Sequence, residues 1–347
     1  MQHALNVFER YCVRWKLNVN LSKTKVVVFC KRKSRTLPKF QIFNQSIEIL
    51  DFYPYLRLTF NYNGSFATAK KRLSEQAQKA LFSLYTKIRN LSIPVDLQLQ
   101  LFDALVLPIL TYGCEIWGFG NNYMLEKIHL QFCRNVLKIR SSTPNFMTYG
   151  ELGRTPIDTV IKCRMVCFWN KLLTNENKLS SILYQIMFNL KDDHTFKWMD
   201  YIKSILDNAR LSYVWTQQSP LDINQLKIVL TEKLKDSFIQ QWHSQIDNSS
   251  RGEFYGLFKT IFGLENYLLK LTPFERKYIS KLRCCNVKIP VELGRWYNIP
   301  KEERTCNLCL TAIGNEYHYL FECNSLLVNN IRNQHIPEYY VKYPSEA

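Results

Sequence analysis

The sequence predicts a mainly α-helical protein with a small α/β part at its N-terminus. Apolar residues make up 46% of its 347 residues and aromatic residues 14%, which is enough to bury a substantial core. Short β-branched runs are confined to residues 1–64, whereas apolar residues recur at helical spacing after them. These patterns divide the chain into four predicted parts, 1–64, 65–173, 174–270 and 271–347.

The first part is predicted to combine one helix with several short strands. Apolar residues at three- and four-residue intervals predict an amphipathic helix over Met1–Trp15. Lys25–Cys30 is a β-branched run that predicts a strand, and Phe40–Leu50 and Tyr53–Phe60 predict two or three more. The turn signal Asn61–Gly64 ends this part. The apolar positions of the helix are Leu5, Phe8, Cys12 and Trp15.

The parts that follow are predicted to be helical. Pro94 is expected to end the first helix and Pro108 the second. Residues 175–270 have a weaker helical pattern, with a break near Gln217–Pro220. The strongest patterns predict helices over Ala69–Leu91, Val95–Leu107, Tyr123–Ile139 and Pro156–Leu173.

Several aromatic residues lie among leucines and isoleucines at helical spacing. Such residues can stack on bases, but this spacing favours packing in the core. His129 lies on an apolar helix face and is interpreted as a packed histidine. The aromatic residues are Tyr112, Trp117, Tyr149 and Trp169.

The net charge of +17 is concentrated near the N-terminus. Residues 1–89 contain 17 Lys and Arg against 4 Asp and Glu, whereas the remaining residues are nearly balanced. A concentrated positive field suits a polyphosphate partner such as nucleic acid, and the alternative is a solvated basic face without a partner. The candidate phosphate contacts are Lys31, Arg32, Lys33 and Arg35 in a loop, and Lys70, Lys71 and Arg72 on the polar face of a helix.

The cellular setting predicted from the sequence is intracellular, in the nucleus, the cytoplasm or both. No secretory signal is visible, and the longest apolar runs, such as Ala104–Cys114, are too short to cross a bilayer. The protein is therefore expected to be soluble, without a membrane partner. The eleven cysteines are expected to be reduced, so clustered ones become candidate metal ligands.

The sharpest local signal is the set Cys306, Cys309, His318 and Cys323. Two cysteines separated by two residues can bind one ion, and a histidine and a third cysteine complete a tetrahedral set. The four residues lie within eighteen positions, with an eight-residue loop between Cys309 and His318. We expect a structural Zn²⁺ site, and the alternative is a group of ordinary buried thiols with a capped histidine.

Five segments, in chain order, resemble the reverse transcriptases of non-long-terminal-repeat retrotransposons. The resemblance touches most of the chain but leaves a gap over roughly residues 175–270, and its strength lies in the series of motifs rather than in any one of them. The segments are Phe8–Val26, Phe52–Leu56, Leu107–Gly118, Tyr149–Pro156, and Glu292–Pro300 together with Arg304–Cys323.

The resemblance implies a function for each predicted part. Residues 1–64 would be the end of a polymerase palm with its primer-grip-like hairpin, and 65–173 a helical thumb. Residues 174–270 would be a helical extension, and 271–347 a module with a zinc-knuckle-like site. The implied partners are RNA or an RNA–DNA hybrid, together with the missing N-terminal part of the polymerase.

Two departures from the family pattern limit the implied activity. The family has glycine after the Tyr-Leu of its primer grip, where this chain has Arg57. The aromatic-x-Asp-Asp motif, which holds two Mg²⁺ ions in the intact polymerase, is not present. The pair Asp192–Asp193 has no aromatic residue two positions before it and is interpreted as a solvated turn. The chain is therefore expected to be inactive alone, and Mg²⁺ is expected only in the intact parent enzyme.

A rival interpretation is a domesticated or decayed fragment whose helices bind another protein. A protein interface of this kind would be non-catalytic and mainly apolar. The salt dependence of binding distinguishes the two possibilities. Binding to phosphates weakens steeply as salt is added, whereas an apolar protein interface barely responds.

Overall fold

The computed structural model describes residues 1–30, 39–174, 178–191 and 196–337. The chain divides into two compact units, Met1–Ala77 and Gln78–Ala347. The finer division into four parts remains a prediction. Along the described residues, no helix combines the length and the apolar composition needed to cross a bilayer.

The first unit contains a helix and a small sheet, as predicted. Its elements are α1 (Gln2–Arg14), β1 (Lys25–Val26), β2 (Phe40–Ile42), β3 (Gln45–Ile49), β4 (Phe52–Tyr55) and β5 (Leu58–Asn61). The sheet has the order β1-β3-β2, with β1 parallel to β3 and β2 antiparallel to it, and β4 and β5 form a separate hairpin.

The core of this sheet is small. Val26, Ile42 and Ile47 are buried together, and Leu5 of α1 packs against them. The predicted strand Lys25–Cys30 is wrong in length, because only Lys25–Val26 pairs with β3. The partner strand ends at Ile49, so the residues after Val26 have no further ladder to join.

Helix α1 matches its predicted position, but most of its predicted apolar face is not buried. Cys12 is the buried residue of this helix, whereas Phe8 and Tyr11 are exposed and Trp15 is 60% exposed. A thirteen-residue helix gains most of its stability from packing rather than from propensity. The exposed aromatic side chains therefore form an unpartnered surface within the described residues.

Both hairpins turn through residues in the left-handed backbone region. Phe43 and Asn44 connect β2 to β3 with φ values of 49° and 58°. Leu56 and Arg57 connect β4 to β5 with φ values of 47° and 67°. A two-residue hairpin turn with positive φ at both central residues has a twist that matches the twist of its flanking strands. Glycine adopts this conformation at the lowest energetic cost. Arg57 therefore occupies a position where a side chain is strained.

The second unit is helical, and the division between the units falls within the helix Ala67–Ile88. Its helices run as follows: α2 (Ala67–Ile88), α3 (Val95–Leu105), α4 (Leu107–Leu110), α5 (Cys114–Trp117), α6 (Tyr123–Leu137), α7 (Asn145–Leu152), α8 (Ile157–Leu173), α9 (Leu179–Asn189), α10 (Lys197–Asn208), α11 (Ser212–Gln217), α12 (Ile223–Asp247), α13 (Gly252–Phe258), α14 (Tyr267–Lys270), α15 (Pro273–Arg283), α16 (Pro290–Trp296) and α17 (Leu326–His335).

The predicted helices are present with small shifts at their ends. Pro108 is the main exception, because it does not stop the chain from being helical. It lies in the first turn of the short helix α4, where the missing N–H of proline costs little. The predicted break near Gln217–Pro220 is confirmed, since α11 ends at Gln217 and α12 begins at Ile223.

Helix α8 lies at the centre of the second unit. It packs against α5, α6, α9, α10 and α12. Trp117 and Trp169 are fully buried and Tyr149 is nearly so, which confirms their predicted place in the core. Tyr112 is the exception at 44% exposure, because its short segment lies between α4 and α5 at the surface.

His129 is buried in a chain of polar contacts, as predicted for a packed histidine. Its Nδ1 lies 2.8 Å from the Glu126 carboxylate, and its Nε2 accepts a hydrogen bond of 2.9 Å from Arg154 Nε. Arg154 also pairs with Asp103. Because Nε2 accepts from Arg154, Nδ1 is the ring nitrogen that donates to the Glu126 carboxylate.

A second buried ionic network joins α7 to α14 and α15. Glu151 has no exposed surface, and Arg283 donates hydrogen bonds to both of its carboxylate oxygens. Tyr267 donates a hydrogen bond of 2.7 Å to the same carboxylate. The three residues satisfy one another, as a buried charge requires.

Candidate metal centre and basic surface

The candidate metal centre begins with a tight turn after Arg304. Thr305 and Ile313 form an antiparallel bridge, and the N–H of Cys306 donates to the Ala312 carbonyl at 2.7 Å. The turn places Cys306 and Cys309 side by side. Its reversal needs the left-handed conformation of Leu310, which has a φ of 59°.

The other half of the centre is a short π-helical segment, His318–Glu322, followed by Cys323. The N–H of His318 donates to Asn315 Oδ1 at 2.7 Å, and the N–H of Cys323 donates to the His318 carbonyl at 2.7 Å. Arg332 of α17 donates hydrogen bonds to the carbonyls of Leu320 and Cys323. These bonds fix the direction of the imidazole and of the third thiol.

The four predicted ligands converge on one point. One ligand atom from each residue lies within 4.8 Å of all the others. The sulfurs of Cys306 and Cys323 are 3.9 Å apart, and Cys309 Sγ lies 3.3 Å from His318 Nε2. A tetrahedral site with Zn–S bonds of about 2.3 Å places its sulfurs roughly 3.8 Å apart. The observed spacing fits a metal ion of this kind.

The surroundings of Cys306 and Cys309 favour thiolates, the form that binds metal, whereas burial raises the pKa of the Cys323 thiol. The hydrogen bond that Thr311 donates lowers the pKa of the Cys309 thiol to about 6. Burial raises the pKa of Cys306, but backbone N–H groups, including that of Leu308, outweigh this effect and lower it. With three thiols and one imidazole, the set is complete and leaves no position for a reacting water.

A second group of possible ligands was not found from the sequence. Cys285, Glu292 and Glu316 are all buried, and one ligand atom of each lies within 4.8 Å of the others. Arg251 donates a 2.8 Å hydrogen bond to Glu292, and Arg295 pairs with the same carboxylate. Two cations already neutralise this carboxylate, so the group is a buried ion-pair network rather than a metal site.

Only some of the candidate phosphate-binding residues lie within the described part of the chain. Lys31, Arg32, Lys33 and Arg35 lie outside the described residues, as does the pair Asp192–Asp193.

The three basic residues of α2 do not share one polar face, which corrects the sequence-based expectation. Lys71 is exposed, but Lys70 is only 8% exposed. Arg72 is exposed as well, donates a 2.8 Å hydrogen bond to Thr59 Oγ1 and lies 5.6 Å from the Phe52 ring centroid. Lys70 precedes the buried residues Leu73 and Ala77 by three and seven positions. Helical spacing therefore puts it on the apolar face, a signal that the sequence contained.

Comparison with known proteins adds a distant relative. Over 156 residues, 44% of this chain, the sequence is 21% identical to the RNA-directed DNA polymerase from mobile element jockey of Drosophila melanogaster. The chain is distantly similar to a reverse transcriptase. The matched stretch spans 17% of the length of that polymerase. No protein-family model and no solved structure matches the chain.

This similarity supports the relationship to reverse transcriptases that the motif series predicts. The matched polymerase is much longer than the stretch it shares with this chain, so the activity of the relative belongs to a larger protein. The geometry of the chain itself establishes a small N-terminal sheet, a helical remainder and a Cys/His group able to hold a metal ion.

Proposed function

We propose that this chain is the C-terminal part of a non-long-terminal-repeat retrotransposon reverse transcriptase and that it binds RNA or an RNA–DNA hybrid. The observation that carries the proposal is the similarity to the jockey polymerase, together with five family motifs in the right order. The predicted roles are the end of the palm, the thumb, a helical extension and a zinc-bearing module.

Charge supports nucleic acid as the ligand. Residues 1–89 hold 17 of the 46 Lys and Arg residues but only 4 of the 29 acidic ones. A segment with this excess attracts polyphosphates and releases their counterions on binding. Contacts to phosphates position a strand without reading its sequence, so binding is expected to tolerate any sequence.

Polymerisation is not part of the proposal for this chain alone. In-line attack on a nucleotide needs two Mg²⁺ ions held by acidic residues. The Asp192–Asp193 pair has Leu190 two positions before it instead of the aromatic residue of the family motif. The Mg²⁺ chemistry is therefore assigned to the intact parent polymerase.

The Cys/His module is proposed to bind Zn²⁺ for a structural purpose. The ion would connect the turn at Cys306 and Cys309 to the segment at His318 and Cys323, in addition to the hydrogen bond that Tyr319 donates to Asn307 Oδ1. A module of this size rarely folds without its metal. In the complete protein, the module would hold template or target nucleic acid, or fix the end of the chain.

The test is the salt dependence of binding by the full chain. Fluorescence anisotropy with a labelled RNA–DNA hybrid should show affinity falling by about 10³-fold or more between about 50 and 200 mM salt, if six or more phosphates are contacted. No binding at the lowest salt, or affinity that salt leaves unchanged, contradicts the proposal. Nucleotide incorporation by the chain alone contradicts its non-catalytic part.

One observation favours the alternative of a non-catalytic protein-interaction module. Phe8 and Tyr11 of α1 and Trp15, which directly follows the helix, are exposed, and Cys12 is the residue that the helix buries. Aromatic surfaces of this kind are enriched in protein interfaces. Another candidate partner for this helix is the N-terminal part of a complete polymerase. Binding of a protein partner that persists at high salt, without any binding of the hybrid, favours this alternative.

A further inference from the structure

An open groove lies in the second unit, away from the Cys/His module. It has a volume of about 870 Å³ and is formed by three separate stretches of chain. The end of α2 and the following loop up to α3 form one side, and the end of α6 and residues 269–277 form the other. The groove is large enough for several groups of a flexible ligand.

The charged side chains described along the groove are all basic. They are Arg89, Lys138, Arg276 and Lys277, and no acidic side chain lines it with them. Arg276 is held in place by a 3.1 Å hydrogen bond to the Leu268 carbonyl. A concave surface with four cations concentrates positive potential, which selects an anionic ligand.

Between these cations, the groove presents apolar side chains, which we call its apolar floor, beside polar ones such as Thr86 and Gln98. Phe82 is 55% exposed, and Leu91 and Leu269 are exposed as well, although all three line a concave surface. Exposed apolar side chains in a concavity mark a binding site more often than scattered ones do.

We propose that this groove binds an unpaired stretch of RNA or DNA, with phosphates on its four cations and base faces on its apolar floor. The inference rests on the proposed nucleic-acid-binding function and specifies the form of the ligand. A double helix stacks its own base faces and presents phosphates outside, so it cannot cover the apolar floor. Unpaired bases offer both an apolar face and a nearby phosphate.

The cations are tested by a pair of variants with equal charge change. R89Q/K277Q removes two groove cations, and K233Q/K235Q removes two exposed cations of α12 as the matched control. Labelled oligo(U), oligo(dT) and a hybrid of the same length serve as probes for the full chain. R89Q/K277Q should reduce the slope of log affinity against log salt by about 1.4 for single strands, and K233Q/K235Q should leave it unchanged.

The apolar floor is tested in the same way. Phe82→Ser should weaken oligo(U) or oligo(dT) binding by roughly five-fold or more, the loss expected for one stacked base. Tyr213→Ser, at another exposed aromatic residue, is the control. Affinity for the hybrid should change little in either variant, and the two single-stranded probes show whether RNA or DNA is preferred.

The outcomes separate this inference from the function on which it rests. If the unaltered chain binds none of the probes, the proposed function fails. If it binds them, but the groove variants behave like their controls, nucleic acid is held elsewhere and the groove assignment is wrong. A loss for the hybrid as large as that for single strands likewise contradicts an unpaired ligand.

Discussion

Cys309 shows how single residues define the candidate metal centre. It is the one partly exposed ligand, and Thr311 donates a 3.2 Å hydrogen bond to its sulfur. The other two cysteine ligands, Cys306 and Cys323, are fully buried. A site with three buried ligands and one near the surface can hold an ion firmly while remaining accessible to a chelator.

The first prediction concerns these cysteines. The purified chain should contain one equivalent of zinc, and C306S/C309S should lose it, because two remaining ligands cannot complete the tetrahedral set. Elemental analysis of the purified proteins measures both. Cys30→Ser, far from the cluster in sequence, should retain the metal. Less than one equivalent in the unaltered chain, or full retention in the double variant, argues against a zinc site.

The second prediction concerns the buried carboxylate of Glu151. Glu151→Gln keeps the shape but removes the fully buried carboxylate from Arg283, which keeps only its contact with the less buried Glu265. The free energy of unfolding should therefore fall by about 3 kcal/mol. Urea denaturation measures the loss. Glu253→Gln is the control, because Glu253 is 80% exposed and its pairing with Lys301 at 3.8 Å is worth at most about 1 kcal/mol. An equal fall in the free energy of unfolding for the two variants would show that the effect of removing a carboxylate does not depend on its burial.

At the scale of elements, the motif Tyr149–Pro156 has a packing explanation. A Cβ on Gly150 would lie 2.8 Å from Trp242 Nε1, so glycine lets α7 approach α12 closely. Gly153 ends α7 with a φ of 62°, and a Cβ there would lie 2.6 Å from the Leu264 backbone. The glycines of this motif therefore serve the fold of the second unit.

The β4–β5 hairpin supports the third prediction. Arg57 has a φ of 67°, a conformation that costs a side chain about 1–2 kcal/mol, partly offset by the lower unfolded-state entropy of non-glycine residues. Arg57→Gly should therefore stabilise the first unit by about 0.5–1 kcal/mol, measured by urea denaturation. Arg57→Ala removes the same charge but keeps the Cβ, so it should bring no gain. A gain of equal size in both variants would assign the effect to charge.

The two-unit organisation determines how far the effect of metal removal should reach. The Cys/His cluster belongs to the second unit, Gln78–Ala347, whereas β3 belongs to the first. The cluster lies in a short stretch whose hydrogen bonds are mostly local, apart from contacts such as the one between the N–H of Val291 and the Gly314 carbonyl. Loss of the ion should therefore open this stretch and leave the remainder folded.

The fourth prediction follows from this organisation. Hydrogen exchange with a zinc chelator present should show loss of protection over residues 304–323, while the amides of β3 remain protected. C306S/C309S should lack this protection without chelator and should not respond to it. Loss of protection along the whole chain, or none at all, contradicts a local structural role for the ion.

The sequence by itself determined the features that depend on neighbouring residues. Helical spacing located α2, α6 and α8 to within a few residues, since one face of each helix meets the core. The four metal ligands lie within eighteen positions, so their spacing was enough to group them. The presence of short strands in the first unit and the turn at Asn61–Gly64 were readable for the same local reason. The length of β1 and the two hairpin turns were not.

Only the tertiary structure decided the features that join distant segments. The Glu151–Arg283 contact spans 132 positions, and the groove uses residues from Phe82 to Lys277. Burial also depends on the neighbours that the fold supplies, which is why Trp15 is exposed although its spacing resembles that of a core residue. A linear pattern records which face of a helix is apolar, but not which other segment covers it.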